Sequence, residues 1–298
     1  MAEDHTVKIV YQSAVVSVGD IRCAGNRSEW SGEKWSSSCK IVFPRSGLFI
    51  NKIRGKEVVV DPNHIIFFNR NEEYRTSHPV PGGDECTGFV LNPQVLSEIR
   101  SQYDPKTIEN LDLRFPFTST PSNSGIYLAH RILLGYISSR DRLDLISVDE
   151  NALQLLSNAI DSAYNTVNTK QRKRKISTER SHSELSDKAK VVLAAKYREP
   201  LSLDQIARCV NSSPYHLCRV FKRSTGLSIH QYLNRLRLRS ALECVCESDL
   251  SKLAFEVGYS SHSHFSDAFR REFGISPSGF RNIATGKTIR KLSKNLTA

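Results

Sequence analysis

Short runs of Val, Ile and Phe recur through the first ninety residues: VKIV at 7–10, AVVSVGDI at 14–21, KIVF at 40–43, GLFINKI at 47–53, EVVV at 57–60, HIIFF at 64–68 and CTGFVL at 86–91. Gly, Pro, Asn and Asp separate them, a pattern that predicts short strands joined by turns and hence a sandwich or a barrel. The period then becomes helical. One helix is expected around 125–139. A second is expected to start at Ser147, whose spacing to Glu150 matches a capping box, and to carry Ala152, Leu156, Ala159, Ile160, Ala163 and Val167 along one face. That face has two uses, packing on the strands or on a second copy of the chain.

From residue 200 onward one pattern occurs twice. At an offset of 48, Leu217 falls on Phe265, Phe221 on Phe269, Gly226 on Gly274, Leu227 on Ile275, Ser228 on Ser276 and Tyr232 on Phe280. Upstream the offset is 47 and matches Leu203 with Leu250, Ile206 with Leu253, Ala207 with Ala254, Val210 with Val257 and Asn211 with Gly258. Such self-similarity marks a duplicated supersecondary unit, with one residue inserted in the second turn. Each unit reads helix, turn, helix. Ser202 and Gln205 form a capping box, Asn211 and Gly258 suit a left-handed turn position, and Ser213-Pro214 opens the next helix. This is helix-turn-helix patterning, although one copy alone would suit any small helical bundle. Two copies in register, with Lys222-Arg223 matching Arg270-Arg271, favour a nucleic-acid surface.

Charge sharpens that reading. The chain has 42 Lys+Arg and 31 Asp+Glu, a formal net charge of +11. Residues 1–169 contain 17 basic and 20 acidic side chains, residues 170–180 contain 6 and 1, and residues 181–298 contain 19 and 10. The excess therefore belongs to the second half, the footprint of a nucleic-acid binder attached to a module that does not touch the polyanion. A membrane surface is the competing partner. It is disfavoured because the basic residues lie among caps and core positions rather than along one long amphipathic helix.

Residues 185–283 resemble the DNA-binding domain of AraC/XylS-type transcription regulators through LSLDQIA, PYHLCRVFKRSTG, YLNRLRLRSALE, LAFEVGYSSHSHFSDAFRREFG and SPSGFR. The resemblance implies an all-α domain with two helix-turn-helix motifs joined by one long helix, here about Ile229 to Glu247, that reads an asymmetric duplex site through two adjacent major-groove segments. It assigns base reading to Tyr215, Cys218 and Arg219 in the first unit and to His262, Ser263, Ser266 and Asp267 in the second. Ser213, His216, Lys222, Arg223 and Arg270 complete the implied DNA contacts. Arg219 suits bidentate bonding to guanine, with a phosphate or a neighbouring Glu as its plainer partner. Cys218 offers only a soft apolar contact and equally suits a half-buried helix position. Asp267 is a departure, since a carboxylate near phosphates is repelled unless it accepts from cytosine or pairs with Arg270. A helix opened by Ser276-Pro277, with Phe280 inside, is expected to buttress the second unit.

The same family implies an N-terminal cupin-like β-barrel with following helices, making the whole chain α+β. The expected division is 1–169 for effector binding or dimerisation, 170–184 as a basic linker, 185–283 for DNA binding and 284–298 as a basic tail. A small effector, RNA polymerase and a second copy of the chain are the further partners it implies. The alternatives are a cupin-type enzyme, a constitutive regulator whose barrel only dimerises, and a packaging protein without sequence preference. No catalysis is expected, because the chain lacks a Gly-rich phosphate loop, a nucleophile elbow and a kinase signature. No cofactor is expected either. His64 and His78 are fourteen residues apart with no third His nearby, and His262 and His264 do not share a helix face, so no metal site is expected. Seven cysteines at 23, 39, 86, 209, 218, 244 and 246 include no C-x-x-C pair and suit a reducing cytosol, with a redox-sensing role open for Cys23, Cys39 or Cys86. The opening MAEDHTVKIV lacks a basic start and a long apolar core, so a cytoplasmic chain without a membrane span is expected.

Overall fold

Alternating inward and outward positions make the first ninety residues a pair of antiparallel sheets. The computed structural model describes residues 5–25, 29–110, 114–139, 143–171 and 179–284. The strands are β1 (His5–Gln12), β2 (Val16–Cys23), β3 (Lys34–Trp35), β4 (Lys40–Ser46), β5 (Phe49–Ile53), β6 (Lys56–Val60), β7 (His64–Phe68), β8 (Glu73–Ser77), β9 (Asp84–Leu91) and β10 (Ser119–Pro121). One sheet has the order β1-β2-β9-β4-β7-β10 and the other β3-β8-β5-β6. Val42, Ile66, Phe68 and Cys86 from the first meet Phe49, Ile53 and Val60 from the second.

The expected closed barrel is corrected to these two open sheets. The reason is that the six-stranded sheet has a second apolar face. Val16, Val18, Ile41, Phe43, Ile65, Phe67 and Phe89 point away from the four-stranded sheet and join the core formed with the helices that follow. After α1 (Pro93–Ser101) and α2 (Lys106–Glu109) come α3 (Ser124–Ser138) and α4 (Leu145–Gln171).

Helix α4 starts two residues before Ser147. Asp144, rather than a Ser147/Glu150 box, supplies the cap: its carboxylate accepts from the Ser147 amide at 3.2 Å and the Ser147 hydroxyl at 2.7 Å. Tyr11 and Ser13 donate to Asp149 at 2.9 and 2.8 Å, tying the first turns of α4 to the end of β1. Ala152, Leu156, Ala159, Ile160 and Ala163 are fully buried within the chain's own core, so this face is used internally and is not open to a second copy.

The second half consists of α5 (Glu179–Lys196), α6 (Leu203–Cys209), α7 (Pro214–Thr225), α8 (Ile229–Cys244), α9 (Leu250–Glu256), α10 (His262–Phe273) and α11 (Pro277–Ala284). Helix α8 ends three residues earlier than expected, where Glu247 and Ser248 bond back to the Cys244 carbonyl in a turn. The basic stretch expected as a linker is helical at both margins, through Gln171 and from Glu179. Its centre, and the expected tail beyond Ala284, lie outside the described residues. Among the described residues no helix is long and apolar enough to cross a membrane.

Two cores meet along α8. Ile229, Tyr232, Leu233 and Leu236 pack with α5, α6 and α7, whereas Leu238, Ala241 and Leu242 join the core that runs through α9–α11, α3, α4 and the six-stranded sheet. Arg239, fully buried, donates to the carbonyls of Pro62 and Ser122 and lies 4.4 Å over the Tyr127 ring. Tyr232 donates to the buried Asp61 carboxylate, which also contacts His64 Nδ1 at 2.9 Å. Burial alone would raise the Asp61 pKa. The charge of His64 and hydrogen bonds from His64, Tyr232 and the Asn63 amide carry it below the usual carboxylate value.

His130 on α3 predicts how this core responds to acid. It is fully buried, stacks on Phe43 at 4.7 Å, and neither ring nitrogen has a hydrogen-bond partner within the described structure. Burial, then the nearby Arg131 and Arg45 charges, push its pKa well below 6.5. The folded chain therefore holds it neutral and the unfolded chain protonates it first. Its contribution is complete above about pH 6.5 and falls by about 1.4 kcal/mol per pH unit below that, until the folded group titrates. His130→Phe is expected to flatten the acid limb by that slope when urea unfolding is compared at pH 5, 6, 7 and 8. Parallel pH profiles for the two chains would rule this out.

Candidate nucleic-acid interface

The two helix-turn-helix units are built by the same local chemistry. Ser202 accepts from the Gln205 amide at 3.2 Å while Gln205 accepts from the Ser202 amide at 2.8 Å, closing the capping box that starts α6. The equivalent helix α9 is capped by Asp249, which accepts from the Ser251 and Lys252 amides at 2.9 Å each. The turns follow at Asn211, with φ 53°, and Gly258, with φ 91°. Both are in the left-handed region, as the shared position in the repeat anticipates.

Ser213 and Ser261 then cap α7 and α10 through the amides of His216 at 3.3 Å and His264 at 3.2 Å. Both helices end in left-handed glycines, Gly226 at φ 77° and Gly274 at φ 73°. The long helix α8 opens with a second full capping box, Ser228 and Gln231. Arg281 on α11 donates to the carbonyls of Val245 and Ser248, which fixes the buttressing helix to the end of α8.

Packing decides which side chains face outward. Leu217, Val220 and Phe221 on α7 are buried, as are Phe265, Ala268, Phe269 and Phe273 on α10. On the opposite face of α7, Tyr215 is 78% exposed and Arg219, Lys222 and Arg223 are exposed, with no ion pair among the described residues. On α10, His262, Ser263, Asp267 and Arg270 are exposed.

Three of the expected contact residues are less open. His216 is half-buried, with its ring 6.0 Å from that of His182 on α5. Cys218 is half-buried against the core of the first unit. Ser266 is half-buried within 3.4 Å of His262 Nε2. Ser213 is exposed, but its hydroxyl serves the α7 cap. Asp267 has no ion pair to Arg270 among the described residues, while its backbone carbonyl accepts from Arg271 Nε at 3.3 Å. The surface thus offers two exposed helical faces, the first wholly basic or neutral and the second carrying one acid between its polar and basic positions.

Two features escaped the sequence reading. Phe255 on α9 is 60% exposed, off the buried Leu253-Ala254 face. Arg239 lies three residues after Leu236 and seven after Tyr232, which places it on the apolar face of α8. That spacing was the available signal for a buried charge.

Known proteins share the helix-turn-helix pattern of this region. A helix-turn-helix domain family matches residues 206–283. The regulatory protein PocR of Salmonella typhimurium is 28% identical over 210 residues, covering 69% of this chain and 67% of PocR. An alignment of that length extends upstream of the helical half. The transcriptional activator RhaS of Escherichia fergusonii is 41% identical over 93 residues, covering 30% of this chain and 32% of RhaS, so the chain spans about a third of that relative. Among solved structures, an AraC-type regulator from Chromobacterium violaceum matches at 29% identity, covering 36% of this chain and 98% of that one, with a TM-score of 0.34.

The left-handed turn at position 211 has a measurable consequence. A β-branched side chain there pays the full steric cost of positive φ, about 1–2 kcal/mol, which Gly avoids. Asn211→Val is expected to destabilise the first unit by about that amount and Asn211→Gly to leave it nearly unchanged, as read by urea unfolding. Equal losses in the two variants would show that the Asn211 side chain, rather than its backbone, sustains the turn.

Proposed function

We propose that this chain is an AraC/XylS-type transcription regulator in which α7 and α10 enter successive major-groove segments of an asymmetric operator while the N-terminal half governs how they are presented. The observation that carries the reading is the pair of identically capped helices, each with its apolar face packed inward and its basic face outward, held on one shared helix. In this reading Arg219 is the principal base reader, helped by Tyr215 and Cys218. His262, Ser263, Ser266 and Asp267 read the second segment. Lys222, Arg223 and Arg270 meet phosphates, and Ser213 and His216 lie beside the backbone. Asp267 makes the second segment the weaker one.

We assign DNA binding to residues 185–283 and effector reception to 1–169, in a cytoplasmic chain without catalytic activity. RNA polymerase and a small effector are the further partners. Because the apolar face of α4 is occupied internally, a homodimer would need another surface. The basic stretch 170–184 joins the two assignments, and 284–298 is assigned as a basic tail.

The division between reading and anchoring is open to mutation. With an operator fixed by genome-wide mapping of bound sites, Arg219→Ala is expected to cost about 1–3 kcal/mol and relax preference at one base pair. Lys222→Ala is expected to weaken specific and random DNA alike and to reduce the salt slope by about one. Binding isotherms over a range of stated salt concentrations check both. Equal loss on operator and random duplex for Arg219→Ala would remove it as a base reader.

A further inference from the structure

One end of the space between the two sheets holds a cluster that DNA binding does not use. Strands β2 and β9 run antiparallel with Cys23 opposite Asp84 and Ile21 opposite Cys86. Side chains alternate, so Cys23, Asp84 and Cys86 share one face, the one whose core holds Cys86 with Phe49 and Ile53. The connection into β9 brings His78 to the same place, its Nε2 2.7 Å from one Asp84 oxygen. The other Asp84 oxygen accepts from Cys86 Sγ at 3.3 Å. One ligand atom from each of Cys23, His78 and Asp84 lies within 4.8 Å of the others.

The surrounding backbone holds these groups tightly. The side chains of His78 and Asp84 are only 10% and 7% exposed. A Cβ on Gly25 would lie 2.5 Å from His78 Nδ1, and one on Gly83 would lie 1.9 Å from the Cys23 carbonyl oxygen. Gly83 also has φ +70°, so only glycine suits that turn without strain. Imidazole and strand ends are therefore pinned by close backbone approach.

We propose that Cys23, His78 and Asp84 bind a thiophilic divalent cation, with Zn²⁺ the best fit, and that Cys86 supplies the fourth ligand. A tetrahedral zinc with bonds of about 2.0–2.3 Å separates its ligand atoms by about 3.3–3.8 Å, so the present set needs only side-chain adjustment. The ion replaces the direct His78–Asp84 hydrogen bond. The two thiols leave two protons to solvent and become thiolates, His78 binds neutral, Asp84 binds ionised, and no electron is transferred. Thiolate and imidazole select zinc over magnesium or calcium, which prefer oxygen ligands. Histidine spacing gives no sign of this set, because three of its four members are two thiols and a carboxylate brought together by strand register.

The site involves none of the proposed DNA contacts, and its test needs no DNA. The reduced, chelator-treated full chain is titrated with Co²⁺ and then with Zn²⁺. The expected result is one Co²⁺ per chain with tetrahedral ligand-field bands and a thiolate-to-cobalt charge-transfer band, both erased by one equivalent of Zn²⁺. Cys23→Ser and His78→Ala should each weaken Zn²⁺ binding by at least about tenfold, Cys86→Ser should diminish the charge-transfer band, and Cys39→Ser should change nothing. A folded wild-type chain, verified by circular dichroism, that shows no charge-transfer band overturns the proposal whatever the variants do. Wild-type affinity in Cys23→Ser and His78→Ala, or loss of the band in Cys39→Ser, overturns it as well.

Discussion

The guanidinium of Arg239 is the contact on which the arrangement of the two halves depends. It is fully buried, its charge met by the Pro62 and Ser122 carbonyls and the face of Tyr127. Burial pulls its pKa down to about 10, which still leaves it charged at neutral pH. A buried charge stripped of its partners costs several kcal/mol. The carboxyl half of α8 therefore cannot drift from the sheet while that side chain stays inside. Tyr232, two turns earlier, adds a second anchor through Asp61. Glu243, one turn later, sits between Arg131 at 3.0 Å and Arg45 at 3.9 Å.

Because α8 is also the spine of both helix-turn-helix units, those anchors reach further than their own neighbourhood. The amino half of α8 packs with α6 and α7, and the carboxyl half with α9 and α10. At about 1.5 Å per residue its sixteen residues extend roughly 24 Å. The seat for this spine is formed by loop carbonyls and a carboxylate of the β half, with Ser124 at the start of α3 reaching Glu272 on α10 and Arg235 on α8 pairing with the same Glu272 at 2.9 Å. A shift in those loops would act on both DNA-facing helices at once.

Much of this was legible locally. Each Val/Ile/Phe run became a strand, and the caps at Ser202, Ser213 and Ser228 and the turn at Asn211 formed as their spacing indicates, because hydrogen bonds over three residues need no knowledge of the rest of the chain. Strand β8, EYRTS, had no such signal, since its side chains are mostly only part-buried. The open sheets replaced the expected barrel because hydropathy places residues on faces without saying what covers each face. The same gap left the face of α4 undecided between strands and a second copy until the core was seen. Arg239 with Pro62 and Ser122, Tyr232 with Asp61, and Cys23 with His78 and Asp84 are long-range meetings. Their partners lie up to 177 residues away in the case of Arg239, and nothing in a local window announces them.

The seam around α8 is of mixed character, and the mixture decides how the halves behave. An apolar core runs without a break from the six-stranded sheet through α3 and α4 to α8–α11. Parting the halves would expose that surface to water as well as strip Arg239 and Asp61 of their partners, and both effects oppose separation. The apolar contacts supply adhesion without direction, whereas the Arg239 and Tyr232 hydrogen bonds are directional and fix one register of the helix on the sheet. The α8 helix is thus keyed as well as glued, so that a displacement of its seat is passed on as a rotation or a shift rather than lost in sliding.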